Sequence, residues 1–176
     1  MEISQVPVGE EMISFVRIDD RMIHGQTVTR WALEYPCDGI IAVNDVAASN
    51  PVLKSAYKGA APDKKIFVWT MDHFKESMEK VLASKTRYFL ITKSPLDMKH
   101  ILVDLQFKPS DVKRVIVGPC NDRPGTTKLG NNQSITAEEA QAFEDITKKG
   151  YDVWFALIKE AAIGHWSDFR GKFDVK

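Results

Sequence analysis

The stretch Arg17-Ile-Asp-Asp-Arg-Met-Ile-His-Gly-Gln26 runs out of an apolar segment and puts two carboxylates, an arginine and an imidazole within about a helical turn of one another. A histidine with an ordinary pKa of about 6.5 is a usable nucleophile near neutrality as long as it stays unprotonated. A nearby guanidinium, here Arg21, favours the neutral ring and can then hold phosphoryl oxygens. A carboxylate from Asp19 or Asp20 can bond the imidazole N–H and fix the tautomer, leaving the other nitrogen to attack. Gly25 leaves the backbone beside His24 unhindered, and the free N–H groups that open the next helix favour an anion there. These are the parts of a phosphohistidine site. A lone histidine beside an aspartate is more often a capping or solvated residue. Two features set this one apart: its place after the first strand, and the polar run Asp19-Asp20-Arg21 interrupting apolar sequence.

The other chemistry-bearing residues are sparser. Gly118–Lys128 is rich in Gly, Pro and Thr but lacks the Gly-x-x-x-x-Gly-Lys-Ser/Thr order of a nucleotide loop. It reads either as a plain surface loop or as a wall of the His24 site, with Arg123, Thr126 and Thr127 facing phosphate in the second case. His73, His100 and His165 lie in separate segments without metal-ligand spacing, so solvated or capping roles are expected and no metal is. Cys37 and Cys120 form no Cys-x-x-Cys pair and are expected to be inert. Trp31, Trp69 and Trp154 fall on periodic apolar positions and read as core, whereas Trp166 is a candidate docking residue.

Elements must position this chemistry. Ile13–Ile18, Ile40–Val43, Ile66–Trp69, Tyr88–Ile91, Arg114–Val117 and Asp152–Leu157 are short, β-branched or aromatic and mostly apolar on both faces, as buried parallel strands are. Between them Gln26–Tyr35, Pro51–Ala60, Asp72–Ser84, Pro95–Leu105 and Ala137–Lys148 read as helices. Thr136 and Glu139 have the spacing of a capping box, Pro95 suits a first helical position, and Gly150 a helix stop. The alternation predicts an α/β three-layer sandwich with a mainly parallel central sheet of about six or seven strands. Ligands of such sheets bind beyond the carboxyl ends of the strands, where the Asp19–His24 loop falls.

The chain has 176 residues, enough for one domain with a sizeable core. Residues 1–11, broken at Pro7 and Gly9, are expected to be a flexible extension with Met12 as an alternative start, and 12–176 a single domain. Twenty-four basic residues balance 24 acidic ones, which argues against a nucleic-acid partner. Two cysteines are too few for a disulfide framework and fit a reducing compartment. Apolar runs such as Val153–Ile158 fall far short of the roughly 20 residues of a membrane helix. No signal-peptide pattern opens the chain, so a cytoplasmic location is expected.

Val16-Arg-Ile-Asp-Asp-Arg-Met-Ile-His-Gly-Gln-Thr-Val-Thr-Arg-Trp31 resembles the signature of the mannose/sorbose-type IIB components (fructose and N-acetylgalactosamine types included) of the bacterial phosphoenolpyruvate-dependent sugar phosphotransferase system. The similarity runs from about Met12 to the region of Trp154 and includes Val43-Asn-Asp-Val-Ala-Ala48, the Ala61-Pro62 turn and Thr136-Ala-Glu-Glu139. It implies a sugar phosphotransferase subunit, peripheral to a membrane transporter, whose His24 is phosphorylated by a IIA partner. The phosphoryl group then passes to a sugar carried by membrane IIC and IID. The resemblance further implies Asp19, Arg21 and Gln26 as the surroundings of His24, with Asp20 and Gly25 supporting, and calls for no cofactor. Arg17, Arg21, Arg30 and Lys93 are expected to form an exposed basic surface for IIA. The loop Val117-Gly-Pro-Cys-Asn-Asp-Arg-Pro-Gly-Thr-Thr127 departs from the Val-Gly-Gly-Met type of relatives, and Ala161–Lys176 matches no family pattern. The sugar and a homodimer stay open. Two alternatives remain: a non-transferring regulatory or binding module of the same fold, and an enzyme like the histidine phosphatases. The latter carry Arg-His-Gly, whereas Ile23 precedes His24 here and Arg21 lies three residues back.

Overall fold

The structure, a computed structural model, describes residues 13–110 and 112–176. The expected extension 1–11 and Met12 lie outside the described residues. Six parallel strands, β1 (Ile13–Ile18), β2 (Gly39–Val43), β3 (Lys65–Trp69), β4 (Tyr88–Thr92), β5 (Arg114–Val117) and β8 (Asp152–Ala156), are joined by an antiparallel edge strand, β9 (Ala162–His165). Their order is β3-β2-β4-β1-β5-β8-β9, and β6 (Thr127–Gly130) with β7 (Gln133–Ile135) forms a separate hairpin. All of β2 is buried, so its apolar run GIIAV reflects a strand covered on both faces.

Side chains alternate across the sheet and divide the core in two. On one face Phe15, Phe89 and Ile116 pack with Trp31 of α1 (Gly25–Glu34), Ala47 of α2 (Asp45–Ala48) and Tyr57 of α3 (Pro51–Ala60). On the other face Val16, Leu90 and Val117 meet Phe74 of α4 (Met71–Leu82), Met98 of α5 (Pro95–Lys99) and Phe143 of α6 (Ala137–Lys148). This is the expected three-layer sandwich. Helix starts follow local chemistry: Asn50 accepts from the Val52 and Leu53 amides with Pro51 at the first helical position, and Thr136 and Glu139 form the reciprocal capping box. Helix α5 runs on through a π-helical turn at His100–Asp104 rather than a uniform helix to Leu105.

The tail that matched no pattern is part of the sheet's edge. After Lys159–Ala161, a single 3-10 turn, β9 pairs with β8 and leads into α7 (Trp166–Phe169). Trp166 is 1% exposed, packs against Phe143 and donates its indole N–H to Glu144 at 2.9 Å. It is therefore a core residue, and the docking role expected of it is withdrawn.

From β1 the chain crosses by α1 to β2 on one side of the sheet. From β5 it passes through the hairpin and α6 to β8 on the other side. Helices α1 and α6 belong to opposite cores, so their divergence opens a crevice beyond the carboxyl ends of β1 and β5.

Candidate functional site

At the end of β1 the backbone leaves the sheet in three steps. The Asp19 amide donates to Thr92 O in β4 at 2.9 Å, the Asp20 amide to Pro119 O beyond β5 at 3.0 Å, and the Met22 amide turns back to Asp19 O at 2.9 Å. Met22 takes φ +61° with its side chain buried, a left-handed conformation costly for a residue with a Cβ and tolerated where surroundings over-determine it. The buried Met22 and Ile23 anchor the loop from below and leave Arg21 exposed and His24 half-buried above.

His24 is the N-cap of α1, with extended φ −143° and ψ 151°, and its side chain makes no capping bond. It lines an open cleft of about 810 Å³ together with Arg21, Arg30, Pro119, Asn132 and Leu157. Burial pushes the His24 pKa below its ordinary value; the charge of Asp19 opposes this, and those of Arg21 and Arg17 add to it. This shift favours the neutral form of the ring. The Arg21 guanidinium has no carboxylate partner among the described residues, and no acid lies in the first turn of α1. Cation and helix terminus together favour an oxyanion in front of the imidazole.

Beneath the loop, Asp19 is fully buried. It accepts the Arg21 amide on Oδ1 at 2.9 Å and Arg17 Nε on Oδ2 at 3.3 Å. Burial pushes the Asp19 carboxyl above its usual range, against the pull of the Arg17 guanidinium and the Arg21 amide. Arg17, expected in an exposed basic ring, is only 1% exposed. It shares a sheet face with Phe15, lies level with Ile91 and Ile116 on the neighbouring strands, and sets its guanidinium 5.2 Å from the Trp31 ring. A charge in such apolar surroundings needs a partner, and Asp19, two residues on along the same face, supplies it. Removing one member of such a pair typically costs about 3–5 kcal/mol.

The other expected residues are distributed as follows. Gly25 opens α1, where a Cβ would sit 3.3 Å from Ala60 O. Gln26 falls in the first turn of α1, and its side chain lies outside the described structure. Asp20 Oδ2 accepts the Asn121 amide at 2.8 Å, whereas its Oδ1 is buried without a partner. Asp20, Lys93 and Arg123 line a second, smaller cleft of about 390 Å³ instead of the His24 cleft. Arg30 is exposed at the mouth of the His24 cleft and bonds Glu160 at 2.8 Å.

The Gly118–Ser134 segment does wall the His24 cleft, but through Pro119 and Asn132. Thr126 exchanges hydrogen bonds with the Arg123 backbone and Thr127 begins β6 opposite Ile135; neither lines the cleft. Arg123 is held by Glu139 and by the Ser134 and Asn121 carbonyls. Asn132 is the residue the sequence reading missed. The dipeptide Asn131-Asn132 is a turn signal, and Asn132 sits at φ +55°. The hairpin it closes docks on β5 through Gln133 Nε2, which donates to Val117 O at 2.9 Å.

His73 stacks on Trp69, His100 pairs with Asp104 and His165 with Asp152; among the described residues no His, Cys, Asp and Glu group could hold a metal. Both thiols are buried, and burial pushes Cys37 up to about 11 and Cys120 up to about 12. No helix among the described residues is long and apolar enough to cross a membrane.

Residues 13–176 match the family model of the PTS system sorbose subfamily IIB component. The chain belongs to that family. It is 29% identical over 150 residues to the mannose-specific EIIAB component of Escherichia coli K12, covering 81% of this chain but 43% of that longer protein. The fructose-specific EIIB component of Bacillus subtilis is 28% identical over 139 residues, 78% of this chain and 83% of the relative. Among solved structures, manxB from Thermoanaerobacter tengcongensis superposes with a TM-score of 0.78 at 27% identity, covering 92% of this chain and 96% of that one. The IIB domain of the Klebsiella pneumoniae sorbose permease gives 0.80 at 23% identity over 90% and 96% of the two chains, a likeness of fold. As a PTS IIB component the chain stands apart from the histidine phosphatases, in keeping with Ile23 in place of their arginine.

Proposed function

We propose that this IIB component is a phosphoryl carrier that accepts the group on His24 from a phosphorylated IIA partner and delivers it to a sugar at membrane IIC and IID. The observation that carries this reading is an imidazole at a helix N-terminus that lines one open cleft with Arg21 at the sheet's switch point; burial, which lowers its pKa, favours the neutral ring. In the first step one imidazole nitrogen of His24 attacks phosphorus in line. The bond between phosphorus and the donor atom of IIA breaks, and its electron pair returns to that donor atom. In the second step the sugar hydroxyl oxygen attacks the same phosphorus, the N–P bond to His24 breaks with its electron pair returning to the ring, and the hydroxyl proton passes to solvent. Little covalent chemistry falls to the protein, so catalysis is positioning plus charge stabilisation by Arg21 and the opening amides of α1. The mannose-specific relative carries its A and B parts in one EIIAB component, which supports a IIA donor here.

The test is incubation with phosphoenolpyruvate, the general phosphotransferase proteins and IIA, followed by intact mass. One acid-labile phosphoryl group is expected on the native protein and none on His24→Gln. Label that survives His24→Gln overturns the assignment. A native protein that takes no label would instead be a non-transferring module of this fold.

A further inference from the structure

We propose that Arg17 and Asp19 are positioning residues for this transfer, an internal brace that holds the His24 loop at a fixed distance from the end of β8, whose following residues also line the cleft. The proposal rests on the carrier reading of His24. Arg17 uses its whole planar fork. Nη1 donates to Ala156 O at 3.1 Å and Nη2 to Leu157 O at 3.0 Å, both at the end of β8, while Nε donates to Asp19 Oδ2 at 3.3 Å. Asp19 passes the constraint on, through Oδ1 to the Arg21 amide and through its carbonyl to the Met22 amide. The loop contributes Arg21 and His24 to the lining of the cleft, and the segment after β8 contributes Leu157 and Ile158. The only side chain that bonds both the loop's aspartate and the β8 terminus is Arg17, among the described residues. β1 and β8 are not sheet neighbours, since β5 lies between them, so no strand ladder sets this spacing directly.

Lysine cannot replace this geometry, because a point charge on a flexible stem lacks the three fixed donor directions. Gly118 shows how closely the fork is seated. A Cβ there would lie 2.3 Å from Arg17 Nη2 and 2.6 Å from Cζ, so Gly118→Ala must displace the guanidinium although Gly118 is not among the residues lining the cleft.

The experiment measures His24 phosphorylation by phosphoramidate, a small donor that bypasses IIA, in the native chain, Gly118→Ala, Arg17→Lys and the double variant. Misplacing the loop predicts a saturating rate lower by about tenfold to a hundredfold. The half-saturating donor concentration should hold within about twofold, because Arg21 is intact. The double variant should be no slower than the slower single, since both changes act through one group. Folded variants that label at the native rate, or effects that multiply in the double variant, overturn the brace. Should the variants not fold, the native protein decides by nitrogen-15 NMR. The Arg17 Nε–H should exchange slowly with solvent and shift when His24 is phosphorylated; exchange as fast as in free arginine overturns the proposal. Native protein labelled by phosphoramidate but not by phospho-IIA would defeat the carrier reading and leave the brace standing.

Discussion

Removing the Arg21 guanidinium should leave two separate marks on His24. Arg21 has no ion-pair partner among the described residues, so Arg21→Met leaves no carboxylate bereft, and the loop's backbone bonds do not pass through its side chain. In the transition state the guanidinium can make charge-assisted bonds to phosphoryl oxygens, worth about 1.5–3 kcal/mol. Because Arg21 is exposed, screening favours the lower end, about 1.5 kcal/mol or roughly a tenfold slower transfer. The second mark is on pH dependence. With the neutral ring as the proposed nucleophile, acceptance should fall as pH falls through the His24 pKa. That pKa is held below its ordinary value by burial first and by Arg21 as a lesser cause. Arg21→Met removes only the lesser cause, so the acid midpoint should rise part of the way towards the ordinary imidazole value. Arg21→Lys keeps the charge but loses the fork, so it should retain the native midpoint while remaining slower. Phosphorylation rates by intact mass across pH, beside an NMR titration of the His24 ring, read both effects. Arg21→Met that matches the native plateau rate within twofold, at an unchanged midpoint, refutes the reasoning.

Three further outcomes are expected. Glu144→Ala strands the buried Trp166 indole N–H and should cost about 1–3 kcal/mol, read by denaturant unfolding; an unchanged midpoint and slope would show that the Glu144 bonds to the tail contribute nothing to stability. Thr136→Ala removes the hydroxyl that accepts the Glu139 amide and should cost about 1 kcal/mol while leaving His24 phosphorylation at the native rate, a pairing of thermal melts and mass spectrometry that checks both halves. Binding of IIA around Arg21 and Arg30 should be micromolar or weaker and should weaken with added salt, as a transient, partly electrostatic contact does; chemical-shift titrations that show no salt dependence contradict it.

Where the sequence was legible, the local signals agreed with the burial. Ile13–Ile18 and Arg114–Val117 are strands at the boundaries their β-branched runs suggest, and Pro51–Ala60 and Ala137–Lys148 are helices bounded by an Asn-Pro start and a capping box. The edge strand β9 was invisible because four residues, AIGH, carry no periodicity of their own and hold Gly164 at φ +144°. The aromatic spacing Trp166, Phe169 and Phe173, at helical intervals, was the available sign that the tail packs. Arg17 was misplaced by reading charge as exposure. Its alternation with Phe15 puts it on a buried face, and an aspartate two residues on is the pairing such a position requires. The walls contributed by Asn132 and Leu157 come from residues more than a hundred positions away from His24, and only the strand order brings them there.

The burial of both thiols has a practical side. Alkylating reagents act on thiolates, and neither Cys37 nor Cys120 ionises near neutrality or reaches the surface. The native cysteines can therefore stay in place when a probe is attached elsewhere. Leu33, on α1 and 80% exposed, is a ready position. In Leu33→Cys the introduced thiol is the one a maleimide fluorophore or a nitroxide reaches in the folded chain. Such a reporter sits on the same helix that His24 caps, and it would follow the docking and release that the proposed carrier cycle requires, without a cysteine-free background.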